Sequence, residues 1–588
     1  MIRIDFLEDW GTLVFGEPEA VFRAQSPRDV LPALDAAEAL RCQGYWLAGF
    51  LAYEAGAGLD PALLTHALDR FPLVWLAAFR APEGLWRPEG ERPRVGPWRC
   101  RTDEAAYRAA IGAIKEYIRE GLTYQVNYTV RMDAPFTGDP RQWYDLLRPR
   151  QNAPFAAYVE AGDFAVLSLS PELFFRKRGS RIETRPMKGT APRGYYDRDD
   201  RAQAEALRRS AKDRAENLMI VDLMRNDLGR LARWGSVRAD PLCAVERYPT
   251  VWQMTSTVTA DLLPCCTWVD AFRALFPSGS VTGAPKIRTM AIIRDLEPDP
   301  RGIYCGSVGV VRPDGDAVFN VAIRTVSVDR RRGRALYGSG GGITWDSEAG
   351  GEYREMQAKR AFLTSVVGDF AALETMAWVG GQWVLLAYHL ERLQHAVEYF
   401  GWPWRSERVE TALAEAVRGL DGAWRVRLLY QPDGSVAWER YRLEPRSPGV
   451  KRVRWAARPL ADADAWIFHK TTWRQPYETC VPDDKAPDVF DYLLFNARGE
   501  ITEFTRGNVV LRLHGRLVTP PLAAGLLPGT FRQHLLDAGA VEEQPITMQE
   551  AASATEMWFV NSVRGWVPVR LEGPLPEALG SERRGPRC

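Results

Sequence analysis

Histidine is scarce in this chain and is missing from most of its first half. Only six histidines occur in 588 residues, and none lies between His66 and His389. Acid, base or metal-binding chemistry in that long stretch must therefore use carboxylates and lysines. A metal site built from carboxylate oxygens favours a hard cation such as Mg²⁺ over zinc.

The chain also lacks the features of secreted, membrane and nucleic-acid-binding proteins. No apolar run approaches the roughly 18 residues of a membrane span, and acidic residues such as Asp5 and Glu8 stand where a signal peptide would be basic. Its eight cysteines form no C-x-x-C pair, which argues against disulfides and structural zinc. A net charge of +1 implies no polyanionic partner. We expect a cytoplasmic protein that binds neither nucleic acid nor membrane.

The hydrophobic patterns predict an α+β protein of several lobes. At about 150 residues per domain the length suggests roughly four lobes. Helical periodicity covers 104–120, 202–226 and 351–367, strand patterns cover 123–133, 165–176 and 307–311, and the first hundred or so residues have the pattern of short strands and turns. The pattern restarts after residue 368. We therefore predict two domains, 1–370 and 371–588.

Lys188 is the most informative single residue, because it lies between a proline and a glycine in the segment 185–190 (RPMKGT). Pro186 fixes one backbone dihedral and Gly189 permits close approach of the main chain, so Lys188 would project from a constrained segment. A buried lysine can lose its proton and act as a nucleophile. The alternative is a solvated lysine in a turn, the usual state of an arbitrary lysine.

Two pairs of acidic residues, each pair three positions apart, lie in predicted helices: Asp213 with Glu216, and Glu352 with Glu355. Each pair shares one helical face, so two facing pairs would form a cation site. In the alternative, Glu216 pairs with Lys212 and Glu355 with Lys359, each pair stabilising an exposed helix by about half a kcal/mol.

Two glycine-rich segments, 277–286 and 338–343, could bind an anion through successive backbone N–H groups. Neither has the spacing of a P-loop or a dinucleotide fingerprint, so we predict that they bind carboxylate rather than phosphate. Tight turns are the alternative for each segment.

Taken together, these segments resemble the chorismate-utilising enzymes over almost all of residues 1–370. The matching segments are 170–172 (SPE), 185–190, 213–227, 277–286, 304–306, 322–325, 340–342 and 352–359. The resemblance implies a fold of antiparallel sheets flanked by helices. It also implies that Mg²⁺ is bound directly by Glu216 and Glu355, and through water by Asp213 and Glu352. The substrate-binding residues that it implies are Thr282, Tyr304, Arg324, Gly340, Gly341, Gly342 and Lys359.

Three positions favour the aminodeoxychorismate synthase branch of that family. Lys188 stands where anthranilate synthases usually have alanine, and Gln125 where isochorismate and salicylate synthases have a water-activating lysine. Gln253 replaces the histidine of the anthranilate enzymes. In the implied reaction Lys188 adds to the chorismate ring, Glu172 protonates the departing C4 hydroxyl, and ammonia then replaces the lysine. Glu172 must therefore begin protonated, which burial favours.

The second half contains five short segments in a characteristic order: 389–393 (HLERL), 469–472 (HKTT), 500–508, 520–529 and 561–562. A lysine after the predicted apolar strand 466–468 is suited to binding an aldehyde, because burial lowers its pKa. Across about 373–575 the set resembles the fold-type IV pyridoxal phosphate enzymes, specifically the 4-amino-4-deoxychorismate lyases, which have two lobes. The implied roles are Lys470 as Schiff-base lysine and proton shuttle, Glu503 at the pyridine nitrogen, and Arg392, Thr530 and Ser562 at the phosphate.

The two resemblances together predict a fused enzyme of 4-aminobenzoate synthesis with Mg²⁺ and pyridoxal 5'-phosphate as cofactors. No nucleophile turn of a glutaminase is visible, so a separate glutamine amidotransferase, or free ammonium, would supply ammonia. A homodimer through the C-terminal domain stays open. Two alternatives also stay open: an anthranilate-type synthase fused to a transaminase, and an active synthase with a degenerate C-terminal docking domain.

Overall fold

The structure is a computed structural model that describes residues 1–6, 8–151, 153–248, 251–364, 370–444, 449–460, 465–482, 486 and 488–576. The chain divides into two compact units. The first unit comprises Met1–Arg193 and Gln203–Val366, and the second comprises Gly194–Ala202 and Val367–Cys588. Among the described residues no helix combines the length and the apolar character that a membrane crossing requires.

The strands that form the sheets of the first unit are β1 (Ile2–Phe6), β2 (Gly11–Phe15), β3 (Ala20–Ala24), β4 (Trp46–Leu51), β5 (Val74–Phe79), β6 (Arg94–Val95), β7 (Arg99–Cys100), β8 (Gln125–Thr137), β9 (Phe155–Ala161), β10 (Phe164–Ser170), β11 (Leu173–Arg178), β12 (Arg181–Arg185), β13 (Met187–Pro192), β14 (Arg238–Ala239), β15 (Ala244–Arg247), β16 (Val251–Thr255), β17 (Val258–Asp261), β18 (Gly283–Ala284), β19 (Ser307–Val311), β20 (Ala317–Asn320), β21 (Thr325–Asp329) and β22 (Arg334–Ile343). The helices that start before residue 365 are α1 (Pro27–Arg41), α2 (Gly56–Leu59), α3 (Glu104–Arg119), α4 (Pro140–Gln151), α5 (Asp197–Arg209), α6 (Ala211–Gly229), α7 (Trp268–Leu275), α8 (Lys286–Leu296), α9 (Ala349–Ala358) and α10 (Ala361–Thr364), with 3₁₀ turns at Tyr53–Ala55 and Gly279–Val281.

Two large antiparallel sheets and a small three-stranded one, in the order β13-β16-β15, form the first unit. One large sheet has the order β18-β8-β22-β21-β10-β9-β1-β2, with β6 and β7 also paired to β8, and the other has the order β14-β17-β12-β11-β20-β19-β4-β5-β3. The large sheets pack face to face, since Ile4 and Val166 of the first share a buried cluster with Phe50 and Val308 of the second. Helices including α1, α6 and α7 cover the outer face of the nine-stranded sheet, and helices including α3, α4 and α8 cover the ten-stranded one.

Several local predictions are confirmed and others are wrong. Helix α3 begins after Asp103, whose carboxylate accepts a hydrogen bond from the Ala106 N–H at 2.8 Å. The single helix predicted over 202–226 is two helices, because Ser210 caps a new one by accepting from the Asp213 N–H at 3.2 Å. The third predicted helix ends at 358 and is followed by α10, and its predicted residues 365–367 lie outside the described part. The N-terminal region, predicted as strands and turns, also contains the 15-residue helix α1.

The second unit has two lobes. Its elements are β23 (Ala372–Val379), β24 (Gln382–Trp383), α11 (Leu386–Tyr399), α12 (Ser406–Ala416), β25 (Ala423–Tyr430), β26 (Val436–Arg442), β27 (Lys451–Trp455), α13 (Ala465–Phe468), α14 (Gln475–Glu478), β28 (Asp491–Phe495), β29 (Ile501–Phe504), β30 (Asn508–Leu513), β31 (Arg516–Thr519), α15 (Thr530–Asp537), β32 (Glu542–Glu543), α16 (Met548–Ser553), β33 (Glu556–Asn561) and β34 (Gly565–Glu572), with a 3₁₀ turn at Leu522–Ala524. One lobe packs α11 and α12 on the antiparallel sheet β24-β23-β25-β26. The other is built on the mixed sheet β29-β28-β27-β34-β33-β30-β31-β32. The apolar segment 466–468, predicted as a strand, lies in the helical turn α13.

Candidate active sites

A polar cavity of about 230 Å³ lies in the first unit, where β13, β22, α6 and α9 meet. The site residues predicted from the sequence that line it are Glu172, Lys188, Asp213, Glu216, Tyr304, Arg324, Gly340, Gly341, Gly342, Glu352, Glu355 and Lys359. Thr282 is not among the lining residues. Its side chain is fully buried, and its hydroxyl donates to the Ser278 carbonyl at 3.0 Å.

Glu172 is a buried acid at one wall of this cavity. It lies in the short connection between β10 and β11 and is 3% exposed. Burial raises the pKa of Glu172 to about 7, although a hydrogen bond from the Ser280 hydroxyl and the charge of Lys188 both lower it. The Ser280 oxygen lies 2.5 Å from the Glu172 Oε1 atom. A carboxyl group with such a pKa keeps its proton in a large share of the molecules near neutral pH, as a general acid requires.

Lys188 projects into the cavity from β13. Burial lowers the pKa of its amine, while the carboxylates of Glu216 and Glu172 oppose that shift. Its Nζ atom lies 2.8 Å from the position that a Cβ atom on Gly342 would occupy, and the Gln125 Nε2 atom lies 2.0 Å from the same position. Glycine at 342 therefore leaves the space that the lysine head group uses.

Four carboxylates line the cavity near Lys188. Burial raises the pKa of Glu216, and the like charges of Asp213 and Glu352 add to the effect. Burial also raises the pKa of Glu352, which accepts a hydrogen bond from the Ser347 hydroxyl at 2.7 Å. Mutual repulsion between carboxylates is what a bound cation would relieve.

Carboxylate oxygens are the type of ligand that Mg²⁺ prefers. In this structure, however, the four carboxylates do not converge on one point. Within the described ranges no group of three or more acidic, histidine or cysteine side chains is arranged to hold a metal ion. Glu355 instead pairs with Lys359 at 2.9 Å, as in the alternative drawn from the sequence, and Lys359 lowers the pKa of Glu355. Lys359 also donates to the Gly340 carbonyl at 2.8 Å. Coordination by Glu355 would require its carboxylate to turn away from Lys359.

The second unit brings together most of the residues predicted to bind pyridoxal phosphate. Arg392 forms two hydrogen bonds to Glu374, at 2.8 and 2.7 Å, and a third to the Pro528 carbonyl at 3.1 Å. His389 contacts Glu374 at 2.6 Å with its Nδ1 atom and the Thr530 hydroxyl at 3.4 Å with its Nε2 atom. Glu374 therefore orients Arg392 directly, and it orients Thr530 through His389. Burial opposes its ionisation, but Arg392 and His389 lower the pKa of Glu374 to about 2.

Lys470 and Glu503 belong to the same electrostatic cluster. Burial lowers the pKa of Lys470 to about 8, and Arg392 contributes to the shift. Burial raises the pKa of Glu503 to about 7. Its carboxyl group accepts hydrogen bonds from the Tyr477 hydroxyl at 2.9 Å and the Leu527 N–H at 3.0 Å.

These residues fit pyridoxal phosphate, because a lysine of lowered pKa, a fixed carboxyl group and a partly buried arginine share one cluster. The loop 527–529 links them, since Leu527 contacts Glu503 and Pro528 contacts Arg392. Ser562 lies just after β33, and no hydrogen bond from its side chain to this cluster is found among the described residues.

Sequence reasoning missed the partners that hold the predicted residues in place. Ser280 was part of a noted segment but was not linked to Glu172, and Glu374 was not singled out. Glu374 carried a usable signal, since it is an acidic residue within an apolar strand sequence, ALETMAWV. Such a residue, when buried, needs a cationic partner.

Comparisons with known proteins agree with this division into two units. Residues 86–365 match the family model of chorismate binding enzymes, and residues 371–571 match that of class IV amino-transferases. Aminodeoxychorismate synthase component 1 of Klebsiella aerogenes is 43% identical over 296 residues, which are 50% of this chain and 64% of that protein. Anthranilate synthase component 1 1 of Haloarcula marismortui is 38% identical over 329 residues, 54% of this chain and 62% of that protein. This chain thus covers less than two thirds of these curated relatives.

A solved structure shows the same fold as the first unit. The crystal structure of anthranilate synthase component I from Streptococcus pneumoniae TIGR4 has a TM-score of 0.52 at 24% identity, covering 60% of this chain and 91% of that one. The first unit contains a chorismate binding enzyme domain, and the second unit contains a class IV amino-transferase domain. The α+β class and both family resemblances predicted from the sequence are confirmed.

Proposed function

We propose that the first unit converts chorismate and ammonia into 4-amino-4-deoxychorismate, and that the second unit splits this product into 4-aminobenzoate and pyruvate. One observation carries the first half of the proposal: a lysine amine and an acid whose pKa is raised to about 7 line the same cavity. The similarity to aminodeoxychorismate synthase component 1 supports it. The domain boundary that goes with this assignment is 370/371.

The proposed first step joins Lys188 to the ring. The unprotonated Lys188 amine forms a bond to C2, both ring double bonds shift, and the C4 hydroxyl leaves as water after taking the Glu172 proton. Ammonia then bonds to C4, the double bonds shift back, and the lysine amine leaves C2. The net reaction consumes chorismate and ammonia and releases water, and Lys188 is regenerated.

Binding residues in the cavity would orient the substrate for this attack. Tyr304, Arg324, Lys359 and the glycine triplet 340–342 would hold its carboxylates. Glu216 and Glu355 would bind Mg²⁺ directly, with Asp213 and Glu352 acting through water, and the ion would neutralise the ring carboxylate. The backbone of the segment around Thr282, rather than the Thr282 hydroxyl, would form part of the wall of the substrate cavity.

In the second unit the residues would hold a cofactor and move a proton. Pyridoxal phosphate, when bound, would supply an electron-withdrawing ring that stabilises negative charge on the substrate. Lys470 would hold the cofactor and remove the proton from ring C4. Glu503 would fix the pyridine nitrogen, while Arg392, Thr530 and Ser562 would bind the phosphate.

Ammonia would come from a separate glutamine amidotransferase, which is the partner that we propose for this chain. The test is to supply chorismate with ammonium, or with glutamine and an amidotransferase, and to follow products by chromatography and mass spectrometry. We expect 4-amino-4-deoxychorismate followed by 4-aminobenzoate. An ortho-aminated product would instead identify an anthranilate-type synthase.

Lys470→Ala tests the second half. Because this variant lacks the amine that would move the proton, 4-amino-4-deoxychorismate should accumulate and 4-aminobenzoate should not form. Lys177→Met removes a buried lysine outside the cavity and should leave both products unchanged. Continued 4-aminobenzoate release by purified Lys470→Ala protein would refute the assignment. A wild-type protein that makes the intermediate but shows no visible absorbance band with pyridoxal phosphate would make the second unit a docking domain.

A further inference from the structure

The strand that carries Lys188 is irregular at Lys188 itself. Met187 of β13 faces Thr255 of β16, but Thr190 faces Gln253, so β13 has one more residue than β16 between these pairs. This is a β-bulge, which leaves residues without regular ladder partners and re-aims a side chain. Here the bulge contains Lys188 and Gly189.

Side-chain amides replace the missing ladder hydrogen bonds. The Gln253 Nε2 atom donates to the Gly189 carbonyl at 2.8 Å, and the Gln253 Oε1 atom accepts from the Thr190 hydroxyl at 2.9 Å. From helix α6, the Asn217 Nδ2 atom donates to the carbonyls of Lys188 and Met254, both at 3.3 Å. The two consecutive carbonyls of the bulge are thus each held by a different amide.

Asn217 is itself fixed. Its side chain is fully buried, and its Oδ1 atom accepts from the Ser256 hydroxyl at 2.5 Å. Because Asn217 bonds to β13 and β16 at once, it ties the bulge to helix α6, which also carries Asp213 and Glu216.

Helix α6 also restricts the backbone of the bulge at Gly189. Gly189 has φ +91°, and a Cβ atom there would lie 2.9 Å from the Asp213 Cβ atom. The bulge therefore lies directly against helix α6, and a shift of its carbonyls moves the base of the Lys188 side chain.

We propose that Asn217 and Gln253 are positioning residues that set the reach of the Lys188 amine into the cavity. The inference rests on the proposed function, in which Lys188 is the nucleophile. A displacement of about 1 Å can cost about 100-fold in rate, because reacting atoms must lie within about 3.5 Å of each other.

Misplacement of Lys188 has a chemical signature besides a lower rate. When the amine fails to reach C2, ammonia can bond to C2 directly, with the same double-bond shift and the same loss of water from C4. The product is then the ortho-amino isomer rather than the para-amino one. The ratio of the two isomers reports the position of Lys188, and a general loss of folded protein does not change it.

The test uses Gln253→Met and Asn217→Asp, which keep the size of each side chain but remove the donor to the bulge. We expect each to lower kcat for the para product by about 100-fold, with KM for chorismate within a few-fold of wild type and a higher ortho share. Thr190→Val is the matched control, because it leaves the Gln253 bond to Gly189 in place, and it should lose less than about tenfold. Melting temperatures check that each variant is folded.

The reference variant Lys188→Ala separates failure of this inference from failure of the proposed function. If Lys188→Ala loses the para product while folded Gln253→Met and Asn217→Asp keep wild-type rates and isomer ratios, the positioning role alone is overturned. If Lys188→Ala keeps the para product, the proposed function and the positioning role both fail. A fall in rate with an unchanged isomer ratio also overturns the positioning role.

Discussion

Removing the Ser280 hydroxyl should change the pH range in which the first unit works. Ser280 donates to Glu172 at 2.5 Å, and this bond stabilises the ionised carboxylate and so lowers its pKa. Because the acid must be protonated to release the C4 hydroxyl, activity should fall as pH rises through its pKa. Ser280→Ala removes the stabilising bond, so the pKa of Glu172 should rise and activity should extend to higher pH.

The size of the shift follows from the strength of the bond. A hydrogen bond to a charged group contributes about 1.5–3 kcal/mol, and one pKa unit corresponds to about 1.4 kcal/mol. The alkaline limb of the pH profile of kcat/KM should therefore move up by about one to two units from its wild-type position near 7.

The assay is the initial rate of 4-amino-4-deoxychorismate formation at low chorismate, measured from acid to alkaline pH with ammonia in fixed free concentration. Ser278→Ala is the matched control. The Ser278 hydroxyl contacts the Ser280 hydroxyl at 2.9 Å. Its removal leaves the direct donor to Glu172 in place, so the pH profile of Ser278→Ala should shift less than that of Ser280→Ala. An alkaline limb that stays fixed or moves down in Ser280→Ala would refute the role of Glu172 as the acid.

Two further predictions concern a glycine and a buried carboxylate. Gly342→Ala would place a Cβ atom 2.0 Å from the Gln125 Nε2 atom and 2.8 Å from the Lys188 Nζ atom, so product formation should fall by about 100-fold. Gly341→Ala, whose nearest contact would be 3.3 Å, should lose much less, and equal losses in the two variants would contradict the steric reasoning. Glu374→Gln should lower the free energy of unfolding at neutral pH by about 3 kcal/mol, since the pKa of Glu374 falls from 4.5 to about 2 on folding. A carboxyl group whose pKa is lowered on folding stabilises the fold at pH values above its unfolded pKa, and this stability is lost as the pH falls toward 2. The free energy of unfolding, measured with urea at pH 7 and pH 3, should therefore depend less on pH in the variant than in wild type. An equal pH dependence in the two proteins would contradict the pairing of Glu374 with Arg392 and His389.

Much of the site could be predicted because its residues lie in recognisable segments. Lys188, Glu172 and the four carboxylates belong to separate segments of the chain, and the cavity brings all of them together. Their roles remain a proposal, whereas their proximity is a property of the structure. Thr282 shows the limit, because its segment reaches the cavity through Ser280 and Val281 while its own side chain is turned into the protein.

Other features depend on contacts between distant segments and could not be predicted. Ser280 meets Glu172 across 108 positions, and Gln253 meets Gly189 across 64. No periodicity in the sequence encodes such pairs. The register of β13 with β16, which creates the bulge at Lys188, is likewise set by tertiary pairing.

Some local errors had a signal that was available. Ser210 followed by Asp213 is a capping pattern that could have divided the predicted helix 202–226. Pro27 at the start of α1 is a helix-initiating residue, but Pro32 within it argued against a helix there. Three apolar residues at 466–468 are too few to distinguish a strand from a helical turn.

The most direct test of the account is to trap Lys188 on its substrate. Chorismate is mixed with the protein and Mg²⁺ in the absence of ammonia, the mixture is acid-quenched, and intact mass and peptide mapping follow. The account predicts a mass gain of one chorismate less one water, located on the peptide that contains Lys188 and absent from Lys188→Ala. An unmodified protein, or the same gain on the Lys188→Ala variant, would contradict it.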